Sequence, residues 1–377
     1  MSYQIIPKKR IQESLGCNKI FDAAALTRCI DGERAGNVGT MKQVYDVCVF
    51  GGGPAGTALA ARLGDLGFAA IVLDRPPQGK AWRGESFTGA IRDPLNTLGL
   101  WDEFRRAGHV AGYAQRTAWG GEPWIQDSIY HANGNRWHVD RARFDSDLRE
   151  AVRKRGIAVR DYQSLEDLQR EDRKWRITFD KGIEISSRYL VDATGRARVI
   201  ARRLGSRPRN YDRLIALTAL VPRNRNPEFD HTMVIESNAH GWWYAAPVPQ
   251  GHVVAFLTDA DLAPRGLARS MTTVAANSTY AQTTSGESWL PVGDAFATHD
   301  PLCGWGVHRA LTNGILAADA ISQYLKTADT SFVAKYRRHC QSQFERYLVG
   351  LSRHYSYEQR WTSSPFWRRR CNSNVAT

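Results

Sequence analysis

The fold is decided by residues 47–60, which read Val47-Cys48-Val49-Phe50-Gly51-Gly52-Gly53-Pro54-Ala55-Gly56-Thr57-Ala58-Leu59-Ala60. This stretch predicts an apolar strand, a glycine turn and a helix that opens on small residues. Gly51, Gly53 and Gly56 occupy the three places of a G-x-G-x-x-G pattern. The first permits a sharp turn, the second lets a pyrophosphate approach the backbone, and the third lets helix and strand pack closely. The free N–H groups and the dipole at the helix start attract phosphates.

A second apolar stretch, residues 69–73, supports the same interpretation, because it predicts a strand that ends on Asp74. The acid follows Gly53 by about 20 residues, which is the spacing expected for an acceptor of the ribose 2′-OH. A glycine loop alone also joins strands and helices for structural reasons, but strand, turn, helix, strand and acid together favour a dinucleotide site. The candidate cofactor-binding residues of this unit are Gly51, Gly53, Pro54, Ala55, Gly56, Asp74 and Arg75.

The composition is that of a globular protein with a large core, since 42% of the 377 residues are hydrophobic and 24% are charged. No apolar run approaches the roughly 20 residues that span a bilayer. Residues 1–12 are polar and basic and do not resemble a signal peptide. We therefore expect a cytoplasmic protein without a membrane span.

Cysteine content and net charge limit the classes of function that the sequence supports. The six cysteines show no C-x-x-C and no metal-ligand spacing, which predicts reduced thiols and no metal site. The net charge of +13 can attract nucleic acid, anionic lipid or an acidic partner, or can simply be a solvated basic surface. No nucleic-acid module with interleaved aromatics is present, so we expect no specific nucleic-acid binding.

The rest of the chain alternates helical and strand patterns. Helices are predicted at 89–107, 143–154, 262–276, 304–325 and 331–370. Strands are predicted at 174–179 and 183–188, and Asn133-Gly134-Asn135 predicts a hairpin turn within 114–140. Glycine turns at 51–56, 192–195 and 293–306 each follow an apolar strand. Parallel sheets place ligands beyond the carboxyl ends of their strands, so the three turns are expected to meet on one cofactor.

With these turns the chain resembles the FAD-dependent monooxygenases of the para-hydroxybenzoate hydroxylase fold, on the branch that also holds flavin-dependent tryptophan halogenases. The likeness covers about residues 44–370. It rests on Gly51–Gly56, Asp192-Ala193-Thr194-Gly195-Arg196, and Gly293-Asp294 with Asp300-Pro301 and Gly304-x-Gly306. Two other stretches are similar to flavoproteins that hydroxylate protein tryptophans during quinone-cofactor maturation: Trp242-Trp243-Tyr244, and Glu358-Gln359-Arg360-Trp361 with Ser364-Pro365-Phe366-Trp367.

The resemblance implies an α/β fold, with a Rossmann-like FAD-binding domain, an inserted antiparallel β-sheet substrate domain and a C-terminal helical segment. The expected FAD-binding domain is discontinuous, over 41–113, 141–205 and 286–326. The expected substrate domain is 114–140 with 206–285. Residues 1–40 then form an N-terminal extension, and 327–377 form the helical segment.

The resemblance also implies non-covalent FAD, with NAD(P)H as the electron donor. Asp294 is expected to accept a hydrogen bond from the ribityl chain. Residues 304–307 are expected to present backbone N–H groups to the N1–C2=O edge of the flavin, where a helix dipole favours the reduced state. Further cofactor-binding residues are Gly293, Asp294, Pro301, Gly304, Gly306 and Val307. Many aromatic hydroxylases have Asp-Gly where this chain reads Asp192-Ala193-Thr194-Gly195, which leaves the pyridine-nucleotide interaction open.

The implied reaction is hydroxylation of an aromatic substrate by O2 through a flavin C4a-hydroperoxide, which needs a pocket shielded from water. Candidate pocket residues are Trp242, Trp243, Tyr244 and Trp305, although aromatics on a strand are as often plain core. His299 and Glu85 are candidates for moving protons. The alternatives are a structural histidine and a solvated loop carboxylate.

Three other functions stay open. Halogenation is disfavoured, because halogenases carry a lysine in the region of Arg92 and Asp93, and no lysine lies between Lys80 and Lys154. Their tryptophan-rich motif is also altered here. A small aromatic metabolite competes with a tryptophan side chain in an acidic partner polypeptide as the substrate. A non-catalytic basic binding protein is the rival from another class.

Overall fold

The structure, a computed structural model, describes residues 44–75, 84–128, 133–222, 231–282 and 288–371. The extension expected over 1–40 lies outside the described residues. The first ten strands are β1 Val44–Phe50, β2 Ala70–Asp74, β3 Gly84–Phe87, β4 Val110–Gly112, β5 Ala114–Ala118, β6 Trp124–Asp127, β7 Arg136–Asp140, β8 Ala158–Asp161, β9 Leu165–Glu171 and β10 Lys174–Phe179. The others are β11 Ile183–Asp192, β12 Pro208–Asn210, β13 Leu214–Val221, β14 Thr232–Asn238, β15 Gly241–Val248, β16 Gly251–Asp259, β17 Thr272–Ala275, β18 Thr279–Ala281, β19 Trp289–Pro291 and β20 Ala297–Thr298. The helices are α1 Pro54–Asp65, α2 Arg92–Thr97, α3 Trp101–Arg106, α4 Arg141–Lys154, α5 Val199–Arg203, α6 Arg265–Ser270, α7 Gly306–Thr327, α8 Ser331–Ser356 and α9 Pro365–Cys371.

A mixed sheet carries the glycine turns. Its order is β8-β2-β1-β11-β10-β9, and β19 also pairs with β11. The pairs β8–β2, β2–β1, β1–β11 and β11–β19 are parallel, whereas β10 is antiparallel to both its neighbours. Strand β1 is buried on both faces, which is why it reads as an apolar run and not as an alternation. The predicted α/β fold is confirmed.

Helices α1 and α7 cover one face of this sheet and contact each other closely. Small residues permit the approach, since a Cβ built on Gly314 of α7 would lie 2.5 Å from the Ala55 carbonyl oxygen. Asp140 caps α4 by accepting a hydrogen bond from the Arg143 N–H at 3.2 Å. The predicted helices at 143–154 and 304–325 therefore correspond to α4 and α7.

A second large sheet has the order β17-β13-β16-β15-β14-β5-β6. All its pairs are antiparallel except β14 with β5. Its apolar face packs against α8 and α9 through a cluster of aromatic side chains. Trp119, Trp242, Tyr355 and Trp367 lie at the centre of this cluster, with ring centroids 5.2–6.2 Å apart in the contacting pairs.

Four sequence predictions differ from the structure in detail. The helix expected over 331–370 is two helices, α8 and α9, separated by residues 357–364. The helix expected at 89–107 is a 3₁₀ turn followed by α2 and α3, because the chain turns at Gly99 with φ of +67°. The helix expected at 262–276 shortens to α6, and the rest forms strand β17 beside β13. In the predicted hairpin the second strand, β7, pairs with β3 and β4 in a small sheet, while Ile129 and Tyr130 lie outside the described residues.

Candidate active site

The three glycine turns meet at one edge of the mixed sheet. Strands β1, β11 and β19 are neighbours and run parallel, so their carboxyl ends lie side by side. A cleft of about 390 Å³ opens there. It is lined by Gly51, Gly53, Pro54, Ala55, Asp74, Arg75, Glu85, Arg141, Asp145, Tyr162, Ala193, Thr194, Gly195, Ala197, Val199, Asp294, Gly306, Val307 and Ala310. The structure thus brings together residues of all three turns.

Two glycines of the first turn, Gly51 and Gly56, leave no space for a side chain. Gly51 has φ of +108°, and a Cβ built there would overlap the Ala193 carbonyl of the second turn. A Cβ on Gly56 would overlap the carbonyl oxygen of Gly51. By contrast, a Cβ on Gly53 would meet nothing within 4 Å, because this residue faces the open cleft. The turn is therefore tight on the protein side and open on the ligand side.

The N-terminus of α1 is a ready phosphate site. Gly53 is its N-cap and supplies no capping side chain, and Pro54 follows at the first helical position. The next backbone N–H groups have no acceptor within the helix and point out of its end. They can donate to a pyrophosphate, whose charge the helix dipole stabilises by about 0.3–1 kcal/mol. The open space beside Gly53 at this helix N-terminus, here called the phosphate cradle, fits the pyrophosphate of FAD.

Asp74 lies at the end of β2, above the first turn. Its Oδ1 accepts a hydrogen bond from the Arg75 N–H at 3.0 Å, and Oδ2 lies 3.4 Å from Arg149 Nη1. A Cβ on Gly52 would press against this carboxylate. The Arg75 guanidinium lies over the ring of Tyr162, 5.3 Å from its centroid. A carboxylate and a flat cation on an aromatic ring suit the adenosine half of FAD.

The second turn is held by a buried carboxylate. Asp192 is fully buried and accepts hydrogen bonds from Thr194 N at 3.0 Å, Thr194 Oγ1 at 2.6 Å and Ala201 N at 2.8 Å. Burial raises the pKa of Asp192, and these hydrogen bonds oppose that rise. The carboxylate is thus occupied with the turn itself, and Thr194 and Gly195 face the cleft instead.

The third turn ends in the N-terminus of α7. Asp294, Gly306 and Val307 line the cleft, and no side chain caps the helix, whose N-cap is Trp305. Gly304 has φ of +62°, a conformation that favours glycine. A second uncapped helix N-terminus therefore faces the same cleft as that of α1. Gly293 and Pro301 flank this loop at 3₁₀ turns, where Asp300 Oδ1 accepts the Leu302 N–H at 2.8 Å.

Glu85 lines the cleft in an ion pair. Its carboxylate pairs with Arg141, whose other partner is Asp145 at 3.1 Å. The Arg141 side chain is 12% exposed. The pair joins β3 to α4 across the floor of the cleft. The predicted catalytic role of Glu85 stays a prediction, and the structure adds that its charge is already balanced by Arg141.

His299 lies below the cleft, beside a cavity of about 10 Å³ between α7 and α8. Its ring contacts Tyr347 with centroids 4.6 Å apart, and its Nε2 has no hydrogen-bond partner among the described residues. Burial, with Arg309 and Arg196 nearby, lowers its pKa well below the usual value, which favours the neutral ring. His299 is not among the residues that line the cleft, and its catalytic role stays a prediction.

The four aromatic pocket candidates are not brought together. Trp242 is 1% exposed and donates from Nε1 to Tyr355 Oη at 3.1 Å, inside the aromatic cluster. Trp243 points to the opposite sheet face against Phe256, and Trp305 contacts His308. Tyr244 bonds Ser86 Oγ at 2.8 Å, next to the cleft residue Glu85.

Six cleft residues escaped the sequence prediction, and three of these carry polar side chains: Arg141, Asp145 and Tyr162. Arg141 and Asp145 are four apart on α4, a spacing that signals an ion pair on one helix face. Tyr162 directly follows β8, the strand beside β2. Carboxyl ends of parallel neighbours meet at one edge, so this position was in principle recognisable, but only once β8 was placed in the sheet.

Comparison with known proteins agrees with this geometry. Residues 44–257, more than half of the chain, match the FAD binding domain family, and the chain belongs to that family. The protein is an enzyme of the flavin-dependent oxidoreductase and halogenase class. The residues of the cleft fit its cofactor, FAD.

The chain is 28% identical to "Putative FAD-dependent oxidoreductase LodB" of Marinomonas mediterranea, over 86% of this chain and 96% of that protein. It is 24% identical to the tryptophan 2-halogenase of Chondromyces crocatus, over 85% and 69%. Among solved structures, the flavin-dependent halogenase CmlS superposes with a TM-score of 0.74 at 23% identity, covering 89% and 69%. The peptidyl tryptophan dihydroxylase QhpG superposes with a TM-score of 0.69 at 23% identity, covering 86% and 78%. These superpositions show the fold. No helix in the described ranges is long and apolar enough to cross a bilayer.

Proposed function

We propose that this protein is an FAD-dependent monooxygenase that hydroxylates an aromatic ring. The observation that carries the proposal is the cleft that two uncapped helix N-termini and Asp74 line together. When bound there, FAD supplies the redox chemistry that activates O2 and transfers one oxygen atom to the ring. We assign NAD(P)H as the electron donor.

Different residues of the chain bind different parts of FAD. The N-terminus of α1 binds the pyrophosphate, and Asp74 accepts the adenosine ribose hydroxyl. Asp294 takes the ribityl chain, and the N-terminus of α7 meets the pyrimidine edge, where it stabilises negative charge. In domain terms, we assign 41–113, 141–205 and 286–326 to cofactor binding and 114–140 with 206–285 to the substrate. The C-terminal helical segment is 327–377, and its helices α8 and α9 brace the substrate sheet.

We further propose that the ring belongs to a tryptophan of a partner polypeptide. LodB matches almost end to end, and QhpG, a peptidyl tryptophan dihydroxylase, shares the fold. The net charge of +13 would steer an acidic polypeptide and raise its association rate. A small neutral aromatic would gain less from that field.

Halogenation is the second candidate. The relatives include a tryptophan 2-halogenase and a brominase that acts on a pyrrole carried by a peptidyl-carrier protein. Against it stands the absence of any lysine between Lys80 and Lys154 in the sequence. An activity assay in excess bromide distinguishes halogenation from hydroxylation, because a halogenase product carries bromine and a hydroxylase product carries oxygen.

The test begins with the cofactor. Purified protein should take up FAD stoichiometrically, and failure to bind FAD at micromolar concentration would remove the proposal. The holoprotein, NADH or NADPH, and O2 are then incubated with acidic polypeptides containing tryptophan and with free aromatics. A mass gain of one or two oxygen atoms on the polypeptide supports the peptide substrate, and rapid oxidation of a free aromatic alone contradicts it. Nucleic-acid binding that survives physiological salt would favour a basic binding protein instead.

A further inference from the structure

The wall between the cleft and the substrate sheet is built from β3, β7 and β15, which lie against one another. Side chains alternate along β3, so Glu85 faces the cleft while Ser86 faces β15. Along β7, Arg136 and His138 share one face, and Trp137 points the other way against Phe104. Four polar side chains from three strands therefore meet in this wall: Ser86, Arg136, His138 and Tyr244.

Three of these groups hold one another in place. Ser86 Oγ lies 2.6 Å from His138 Nδ1 and 2.8 Å from Tyr244 Oη. Burial lowers the pKa of His138 to about 3, so its ring is neutral. Burial also raises the pKa of Tyr244 to about 12, so the phenol keeps its proton. The Tyr244 hydroxyl is thus a fixed, neutral hydrogen-bonding group.

Arg136 is the fourth member, and it is partly buried. Burial lowers its pKa, and the group that acts on it electrostatically is the Tyr244 phenol. Among the residues in the described ranges, no carboxylate forms an ion pair with it. A partly buried guanidinium is commonly paired with a carboxylate, because burial disfavours an unpaired charge. The contrast is Arg141 nearby, which has two carboxylate partners.

The guanidinium lies at the border of the cleft. A Cβ built on Gly304 would be 4.0 Å from Nη1 of Arg136. Gly304 leads directly into Gly306 and Val307, the cleft-lining start of α7. Electrostatically, Glu85 raises and Arg136 lowers the pKa of Tyr244, so the hydroxyl lies within range of both. A guanidinium and a phenol hydroxyl therefore lie close to the cleft, next to Gly304 and Ser86 respectively.

We propose that Arg136 and the Tyr244 hydroxyl form a binding subsite for an oxyanion on an aromatic ligand, and that Ser86 and His138 position Tyr244. The guanidinium fork matches two carboxylate oxygens, and the fixed hydroxyl offers a further contact. The subsite deepens the proposed function and rests on it for the aromatic character of the ligand. The same chemistry has two sources: a carboxylate beside the tryptophan in the acidic polypeptide, or the anionic ring of the reduced cofactor.

The first arm of the test uses two probes of equal shape on the FAD-loaded protein, benzoate and neutral benzamide, in calorimetric titrations. The wild type should bind benzoate at least tenfold more tightly than benzamide. Arg136→Gln should remove this preference, and Tyr244→Phe should reduce it. The matched control Arg346→Gln removes one exposed arginine of α8 and should leave the preference intact. His138→Gln should weaken benzoate to the same degree as Tyr244→Phe and add nothing in the double variant.

The second arm measures the reduction potential of bound FAD. If the oxyanion is the reduced cofactor, Arg136→Gln should lower the affinity for reduced over oxidised flavin about tenfold, or about 30 mV for this two-electron couple. An effect in either arm supports the subsite and identifies its source. No effect in both arms overturns it.

A stability measurement separates a structural arginine from a binding one. Because Arg136 has no described counter-charge, Arg136→Gln in the ligand-free protein should melt no lower than wild type. A clear loss of stability would reveal a structural partner and overturn the proposal. If the protein shows the benzoate preference but hydroxylates nothing, the subsite stands and the proposed monooxygenase activity falls.

Discussion

The hydroxyl of Tyr355 donates a hydrogen bond to Asp300 Oδ2 across 2.7 Å, and this bond joins helix α8 to the loop that leads into the cleft. Asp300 is 1% exposed, and its other oxygen accepts the Leu302 N–H. The Tyr347 hydroxyl accepts the Asp300 N–H at 2.6 Å. Two tyrosines of one helix thus fix the residue that starts the Pro301–Cys303 turn, next to Gly304.

This arrangement predicts a pH effect. Burial raises the pKa of Asp300 to about 6, above its ordinary value of about 4. Between those values the folded state keeps a proton that the unfolded state releases, so folding stability falls as pH rises from about 4 to 6. Asp300→Asn cannot ionise and escapes this loss. Relative to wild type, its free energy of unfolding should rise by up to about 3 kcal/mol from pH 4 to 7 in urea titrations.

The control for this pH effect is Asp261→Asn. Asp261 is an exposed partner of Arg369, and its hydrogen bonds with Arg369 lower its pKa. The folded state of Asp261 is therefore ionised from pH 4 to 7, and the unfolded state, whose pKa is about 4, completes its ionisation just above pH 4. The difference between the control and wild type should therefore stay nearly flat over this range. A flat difference for Asp300→Asn as well would mean that the Asp300 carboxylate is not destabilised by burial.

A second prediction tests the phosphate cradle through the side chain at position 53. Gly53 has ordinary extended backbone angles, and a Cβ there meets nothing within 4 Å. In the FAD-free protein, Gly53→Ala and Gly53→Asp should therefore both fold with unchanged melting temperature. Only the aspartate places a negative charge against the pyrophosphate, so it should abolish FAD binding while alanine weakens it at most about tenfold. Flavin fluorescence titration with circular dichroism measures both, and equal FAD affinity in the two variants would argue against this cradle.

The cradle is also where sequence reasoning was most effective. Glycines 51 and 56 are required by backbone approaches that any nucleotide-binding turn of this shape imposes, so a local pattern is enough. The burial of Trp242 could not be predicted from the neighbouring sequence. Its indole is buried because α8 and α9, more than a hundred residues later in the chain, supply Tyr355 and Trp367.

Long-range pairing explains the other differences. Asn133-Gly134-Asn135 is a good hairpin signal, yet β7 finds its partners in β3 and β4, because register is set by the buried face and not by the turn. The role proposed for Arg136 and Ser86 follows only from this strand pairing. The sequence places them fifty residues apart, and no local spacing connects them.

A third prediction concerns the anchor of the C-terminal segment. Glu358 is fully buried, and it accepts hydrogen bonds from Arg360 at 2.6 Å, Ser237 at 2.6 Å and the Gly120 N–H at 2.8 Å. Burial alone would raise its pKa, but these partners lower it to about 2. Glu358→Gln should cost about 1–3 kcal/mol of unfolding free energy, because it leaves buried donors without their acceptor.

The pH dependence of this anchor has the opposite sign to that of Asp300. Its stabilisation is present above the unfolded pKa of about 4.5 and is lost as pH falls towards 2. The difference between wild type and Glu358→Gln should therefore shrink below pH 4.5. Glu345→Gln on the exposed face of α8 serves as the control and should change stability by less than about 0.5 kcal/mol. If Glu358→Gln destabilises the protein no more than Glu345→Gln does, Glu358 does not anchor the C-terminal segment.

The last prediction separates the two halves of the cofactor. Asp74 ends β2 beside Gly52 and is assigned to the adenosine ribose, a group that FAD has and flavin mononucleotide lacks. Asp74→Ala should weaken FAD about tenfold or more, since a hydrogen bond to a charged group contributes about 1.5–3 kcal/mol. Its affinity for flavin mononucleotide should not change, because that ligand ends before the ribose site. Arg149 loses a contact at 3.4 Å, but it is partly exposed and water can replace the carboxylate. Paired titrations with both flavins measure the ratio of affinities, and an equal loss for the two ligands would place Asp74 in the architecture of the turn instead of at the ribose.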